Sequence, residues 1–117
     1  MEEWQKLYEQ LVRICIDYLF FNGKETVEKV KEQIPHINAF MQWYLSEGIN
    51  RYETEDREQK QIQVLEILQD MMNAMEQRDR VLMEDVLDTG ICPLILEELP
   101  EEYQKVGRKT ELHGGLE

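Results

Sequence analysis

The chain is poor in the residues that carry chemistry. Among 117 residues it has two cysteines, Cys15 and Cys92. They form no CxxC pair and stand among apolar neighbours, which predicts buried free thiols that act as small hydrophobes. Only their separation in the fold decides on a disulfide. Cys15, Cys92, His36 and His113 are scattered and share no zinc-ligand spacing. Ser46 is the single serine and lies beside Glu47-Gly48, where a helix ends, so a Ser-His-acid triad has no members. Gln33 precedes His36 by three residues and Thr110 precedes His113, which removes the Glu-x-x-His pair of di-iron bundles. No Gly-rich phosphate loop, GxSxG elbow or HExxH occurs. No cofactor and no metal are expected.

Interruptions are also few. Three prolines and six glycines favour long helices, and no segment alternates cleanly over five residues as a strand would. The apolar run LVRICIDYLFF is too short to cross a membrane and is broken by Arg13 and Asp17. The start MEEWQKLYEQ lacks the basic region of a signal peptide, so the cytoplasm is the expected compartment. Positive charge is scarce as well: 13 Lys and Arg against 25 Asp and Glu leave a net charge of −12. Such a surface repels nucleic-acid phosphates and anionic lipid, so neither nucleic acid nor membrane is an expected partner. The same charge serves solubility.

What the chain does have is helical periodicity. Trp4, Leu7, Tyr8, Leu11, Cys15, Tyr18 and Leu19 recur at steps of three and four and predict a first helix over 2–21. Val12, Ile14, Ile16, Phe20 and Phe21 add a second stripe, which predicts that the end of this helix lies between neighbours. Trp4, Tyr8, Phe20 and Phe21 also offer more apolar surface than one small bundle covers, so a homo-oligomer is an option. Asn22-Gly23 supplies a left-handed helix stop. A second helix is expected over 24–47, from Val27, Val30, Ile34, Ile37, Phe40, Met41 and Tyr44. Pro35 falls inside it and predicts a kink, or a division into 24–33 and 35–47.

Thr54 suits an N-cap, with Glu55 and Asp56 in the first turn of a third helix that runs to 77. Ile62, Leu65, Leu68, Met72 and Met75 form its apolar stripe, widened by Val64, Ile67, Met71 and Ala74. A reversal is expected at Arg78-Asp79, with Asp79 capping a fourth helix. Val81, Leu82, Val86, Leu87, Ile91, Leu94, Ile95 and Leu99 make the fourth apolar face. Gly90 and Pro93 predict a bend there, and Gly90 alternatively lets another helix approach closely. Residues 101–106 add at most a turn, and GRKTELHGGLE over 107–117 reads as a loose tail. The expected fold is therefore all-α: an antiparallel up-down-up-down four-helix bundle over 1–106, with helices 2 and 4 kinked at Pro35 and Pro93.

Two surface features bear on function. Met71, Met72, Met75 and Met83 cluster around the expected reversal, with Met41 in helix 2. Flexible thioethers fill cores, and they also line grooves that hold amphipathic segments. The four are the candidate partner-binding residues. They predict an exposed apolar patch near 71–83 or at the helix 2 kink. The second feature is the spacing of acids. Glu25-x-x-Glu28 and Glu76-x-x-Asp79 resemble the ExxE and ExxD pairs of the all-helical NTP pyrophosphatases, a resemblance that implies a metal-dependent hydrolase if the four oxygens converge. With 25 acids such pairs also arise by chance, and Asp79 serves equally as a cap. An acidic nucleic-acid mimic is a third option and needs carboxylates arrayed along one face.

The segment MNAMEQRDRVLMEDVLDTGICPLILEEL resembles a helical hairpin of small helical proteins of Firmicutes, which implies a bacterial helical protein and brings no activity with it. In size, acidity and helical content the chain is similar to flagellar and type III export chaperones, which implies a hairpin that holds a protein segment. The leading expectation is a non-catalytic interaction module, adaptor or chaperone-like, with a protein partner.

Overall fold

The computed structural model describes residues 2–21 and 23–100. Among them every regular element is helical. Helix α1 spans Glu2–Phe21, α2 Thr26–Ser46 and α3 Thr54–Gln77. A 3-10 turn, Gly48–Arg51, joins α2 to α3. Helix α4, Arg80–Val86, runs through a π-helical segment, Leu87–Ile91, into α5, Cys92–Glu97. The expected end of the domain at 106 and the tail over 107–117 lie outside the described residues.

Local chemistry explains the corners. Gly23 has φ of +46°, a left-handed conformation that strains residues bearing a Cβ. The Thr26 hydroxyl donates to the Gly23 carbonyl at 2.6 Å, so the α1–α2 corner carries its own internal clasp. At the other reversal Arg78 takes φ of +50° and its neighbour Asp79 caps α4, accepting from the Leu82 amide at 3.0 Å. Glu53 rather than Thr54 stands at the N-cap of α3, and it makes no side-chain cap bond.

Helix α2 passes through Pro35 without dividing, so the two-helix variant is not adopted. Around Pro93 the ladder itself changes. The Cys92 amide donates to the Leu87 carbonyl, five residues back, which widens the helix by one residue just before the ring of Pro93. A π turn therefore stands where the sequence predicts a bend.

The core gathers one face from each helix. Leu11, Val30, Ile37, Phe40, Tyr44, Val64, Met83, Leu87, Ile91 and Ile95 are fully buried. At one end Trp4 meets Phe40 edge-on, with ring centroids 5.3 Å apart, and Trp43 lies 5.8 Å from Trp4. Phe40 stacks on Tyr44 at 5.9 Å. Cys15 and Cys92 are buried and free.

Two expectations about burial are corrected. The end of α1 does not lie between neighbours: Leu19, Phe20 and Phe21 are 61%, 73% and 72% exposed. The first apolar stripe of α3 also faces the wrong way for a core. Ile62, Leu65 and Met72 are exposed, and Val64, Ile67, Met71 and Ala74 are buried in their place. The cause lies across the interface. A Cβ on Gly90 would stand 3.0 Å from Ile67 Cγ1, so the π segment packs closely at Ile67 and draws that side of α3 inward.

Candidate interaction surface

The outer side of α3 carries the surface of interest. Leu65, Leu68, Met72 and Met75 recur at steps of three, four and three. The buried set Val64, Ile67, Met71 and Ala74 has the same steps, one residue earlier. One residue is about 100° of helix rotation, so α3 has two adjacent apolar seams. One enters the core. The other is open at Leu65 and Met72 and half-buried at Leu68 and Met75, with Ile62 exposed beside it. Gln61 and Gln69 lie within this face, and Glu58, Glu66 and Glu76 are exposed around it. Gln69 donates to Asn73 at 3.3 Å.

Of the candidate methionines, Met72 is the one on the surface and Met75 is half-buried. Met71 and Met83 are core residues and present no groove, because they sit on the seams that meet other helices. Met41 is buried too. The exposed apolar residues Ile62 and Leu65 lie outside the expected 71–83 region. Their signal was present in the sequence as heptad spacing.

The acid pairs are engaged singly. Glu28 is ion-paired with Arg78, which brings the first turn of α2 to the α3–α4 reversal. Asp79 is committed to its cap. Among the described residues no three His, Cys, Asp or Glu side chains are grouped to hold a metal ion, so Glu25, Glu28, Glu76 and Asp79 do not converge as a metal site. Two open clefts have volumes of about 240 and 200 Å³. Both fall below the ~300 Å³ at which small-molecule sites begin. The second is edged by Glu66, Asp70 and Asp85 below Gly90. Nearby, Glu84 is held above the usual carboxylate range, first by burial and then by Asp88 and Asp85.

A polar clasp closes one end of the fold. Arg51, at the end of the 3-10 turn, binds both carboxylate oxygens of the buried Glu98. It also donates to the Tyr52 hydroxyl at 2.9 Å and lies 4.9 Å from the centre of that ring. Lys60 stands over the same ring at 5.2 Å and 3.6 Å from Glu97. Every charge here has a partner, and the cluster acts as a fastening. Beneath it Tyr44 is fully buried, and its hydroxyl has no hydrogen-bond partner among the described residues. Burial, followed by Tyr52, Glu97 and Glu98, pushes its phenol well above the ordinary tyrosine range.

Among the described residues no helix is long and apolar enough to cross a membrane. In comparisons with known proteins, no family model, no curated protein and no solved structure matches the chain.

Proposed function

We propose that the protein is a non-catalytic interaction module, adaptor or chaperone-like, whose outer α3 face holds an amphipathic helical segment of a protein partner. The observation that carries this reading is the second apolar seam. Ile62, Leu65 and Met72 are 57%, 62% and 55% exposed on a helix whose other seam is already in the core. Large side chains at helical spacing are the usual footprint of helix-on-helix recognition. The acidic rim of Glu58, Glu66 and Glu76 favours a segment with apolar anchors and basic flanks. Met72 and Met75 add side chains that adapt to more than one anchor.

The finer architecture belongs to the same proposal: an antiparallel up-down-up-down bundle with axial bends at Pro35 and Pro93, working in the cytoplasm. The hydrolase alternative has no convergent carboxylates behind it, and no observation favours the acidic mimic.

The test is paired affinity capture from a bacterial lysate, with wild type and Leu65→Glu/Met72→Glu as baits. The expected result is a retained protein whose recovery falls at least tenfold with the variant, while helical circular dichroism is unchanged. Equal recovery by both baits contradicts the assignment.

A further inference from the structure

We propose that the chain's own segment from Tyr103 to Lys109 occupies the open seam of α3 when no partner does, so that a partner must displace it. This rests on the α3 reading above and adds the regulation of that surface. Residues 101–117 lie outside the described residues. Their sequence, and the place where the chain leaves α5, point to the seam.

The seam favours apolar anchors with basic flanks, and one stretch of the chain has that composition. YQKVGRKT, residues 103–110, holds three of the 13 Lys and Arg and no acid. No other eight-residue window of the sequence combines three basic residues with no acid. Tyr103 and Val106 stand three apart within it, beside Lys105, Arg108 and Lys109. In a chain of net charge −12, this stretch complements Glu58, Glu66 and Glu76 around the seam.

The chain leaves α5 beside the seam. Arg51 holds Glu98, and Glu97 lies 3.6 Å from Lys60 in the second turn of α3. Pro100 follows and is exposed. Gln61, next to Lys60, already lies within the open face, and Leu65 is about 8 Å farther along the helix than Lys60. At ~3.3 Å per extended residue, Tyr103 reaches up to about 13 Å from Leu99 and Val106 up to about 23 Å. Those spans cover the Ile62–Leu65 end of the seam. The exposed end of α1 is farther off. Trp4 is the part of α1 that packs on Phe40 and Trp43, in the same stretch of α2 as Tyr44 beneath the Arg51–Glu98 clasp. Phe20 stands about 24 Å up the helix from Trp4.

Tethering makes a weak contact sufficient. A short linker holds its segment at an effective concentration on the order of 1 mM, so a contact with a Kd of about 1 mM is already half formed. A partner then binds with an apparent affinity reduced by the fraction of open seam.

The test needs no partner. A benzophenone side chain replaces Tyr103 in the purified full chain at low micromolar concentration, and the adducts are mapped by proteolysis and mass spectrometry. The expected adducts join position 103 to residues 61–75 of the same chain, and fall at least fivefold when Leu65→Glu/Met72→Glu is added. In a second measurement dilute peroxide oxidises Met72, with the buried Met83 as internal reference. Lys105→Glu/Arg108→Glu/Lys109→Glu is expected to speed oxidation of Met72 at least threefold. Adducts absent from 61–75, adducts spread over the other helices, or adducts joining two copies overturn the proposal. So does Met72 oxidation at the same rate in both chains. Partner capture through α3 without these effects fails the tail alone, and a tail contact without partner capture fails the partner reading alone.

Discussion

Arg51 grips Glu98 with both terminal guanidinium nitrogens, Nη1 donating to Oε1 at 2.6 Å and Nη2 to Oε2. The two residues are 47 positions apart and tie the turn after α2 to the end of α5. The partners are unequal: the Glu98 side chain is 4% exposed and that of Arg51 44%. Removing the arginine strands a buried carboxylate. Arg51→Ala is expected to cost about 1–3 kcal/mol, below the full value of a buried pair because solvent reaches the arginine. Arg51→Lys restores only part of this, since one ammonium cannot match the two-nitrogen fork. Urea denaturation checks both values.

The α1–α2 corner gives a sharper substitution. A Cβ on Gly23 would stand 2.6 Å from Thr26 Oγ1 and 2.6 Å from Tyr18 Cα, with φ already at +46°. One clash is with backbone and cannot rotate away. Gly23→Ala is therefore expected to cost about 2–4 kcal/mol. Gly90→Ala meets only side-chain atoms of Ile67, the nearest at 3.0 Å, which must give by a few tenths of an ångström, and about 1–2 kcal/mol is expected. If thermal melts rank the two in the reverse order, the corner is not as described.

These two glycines also show what the sequence could convey. Gly23 was legible as a helix stop, because Asn-Gly after an apolar run has few other uses. The extent of α1 and the Asp79 cap were legible for the same local reasons. The side of α3 that enters the core was not. Its two seams are both apolar, both heptad-spaced and one residue apart, so periodicity could not choose between them. Contact between Gly90 and Ile67 chooses, and that contact joins positions far apart in the chain. The exposed end of α1 is hidden from periodicity in the same way. Phe20 and Phe21 look like core residues by spacing, and the fold leaves them largely exposed. The Arg51–Glu98 clasp had no signal at all, since two charged residues among 38 do not announce a partner. As for the site, its methionines are only partly surface groups, and the helical spacing of Ile62 and Leu65 reads as a core stripe.

Glu84 provides a pH test. Its carboxyl is held above the usual range, chiefly by burial. From the ordinary glutamate value of ~4.3 up to its raised native value, the folded state holds the proton more tightly than the unfolded state. Stability therefore falls as pH rises through that window, and the deficit persists above it. Glu84→Gln is expected to raise the neutral-pH Tm by about 1–3 °C, a small gain because the side chain is partly solvated. The gain should vanish once pH falls below the ordinary glutamate range. A gain that persists there assigns the effect to something other than charge.

Tyr44 offers the alkaline counterpart. Burial favours its neutral phenol, so the folded state keeps that proton above the ordinary tyrosine value of ~10 and loses stability as pH climbs past it. Phenolate absorbance should show one of the five tyrosines ionising only as the chain unfolds. Tyr44→Phe should remove that late step. Because the hydroxyl has no partner among the described residues, the same substitution is expected to cost less than about 1 kcal/mol at neutral pH. A larger loss would reveal a hydrogen bond to Tyr44.

The central claim is that the open seam of α3 receives a protein segment. Photo-crosslinking from position 65 tests it most directly. A benzophenone side chain in place of Leu65, in cells that make the protein, is expected to yield a discrete adduct with one partner. The same probe at Gln63, exposed on another side of α3, should not yield it. No adduct from position 65, or the same adducts from both positions, would contradict the claim.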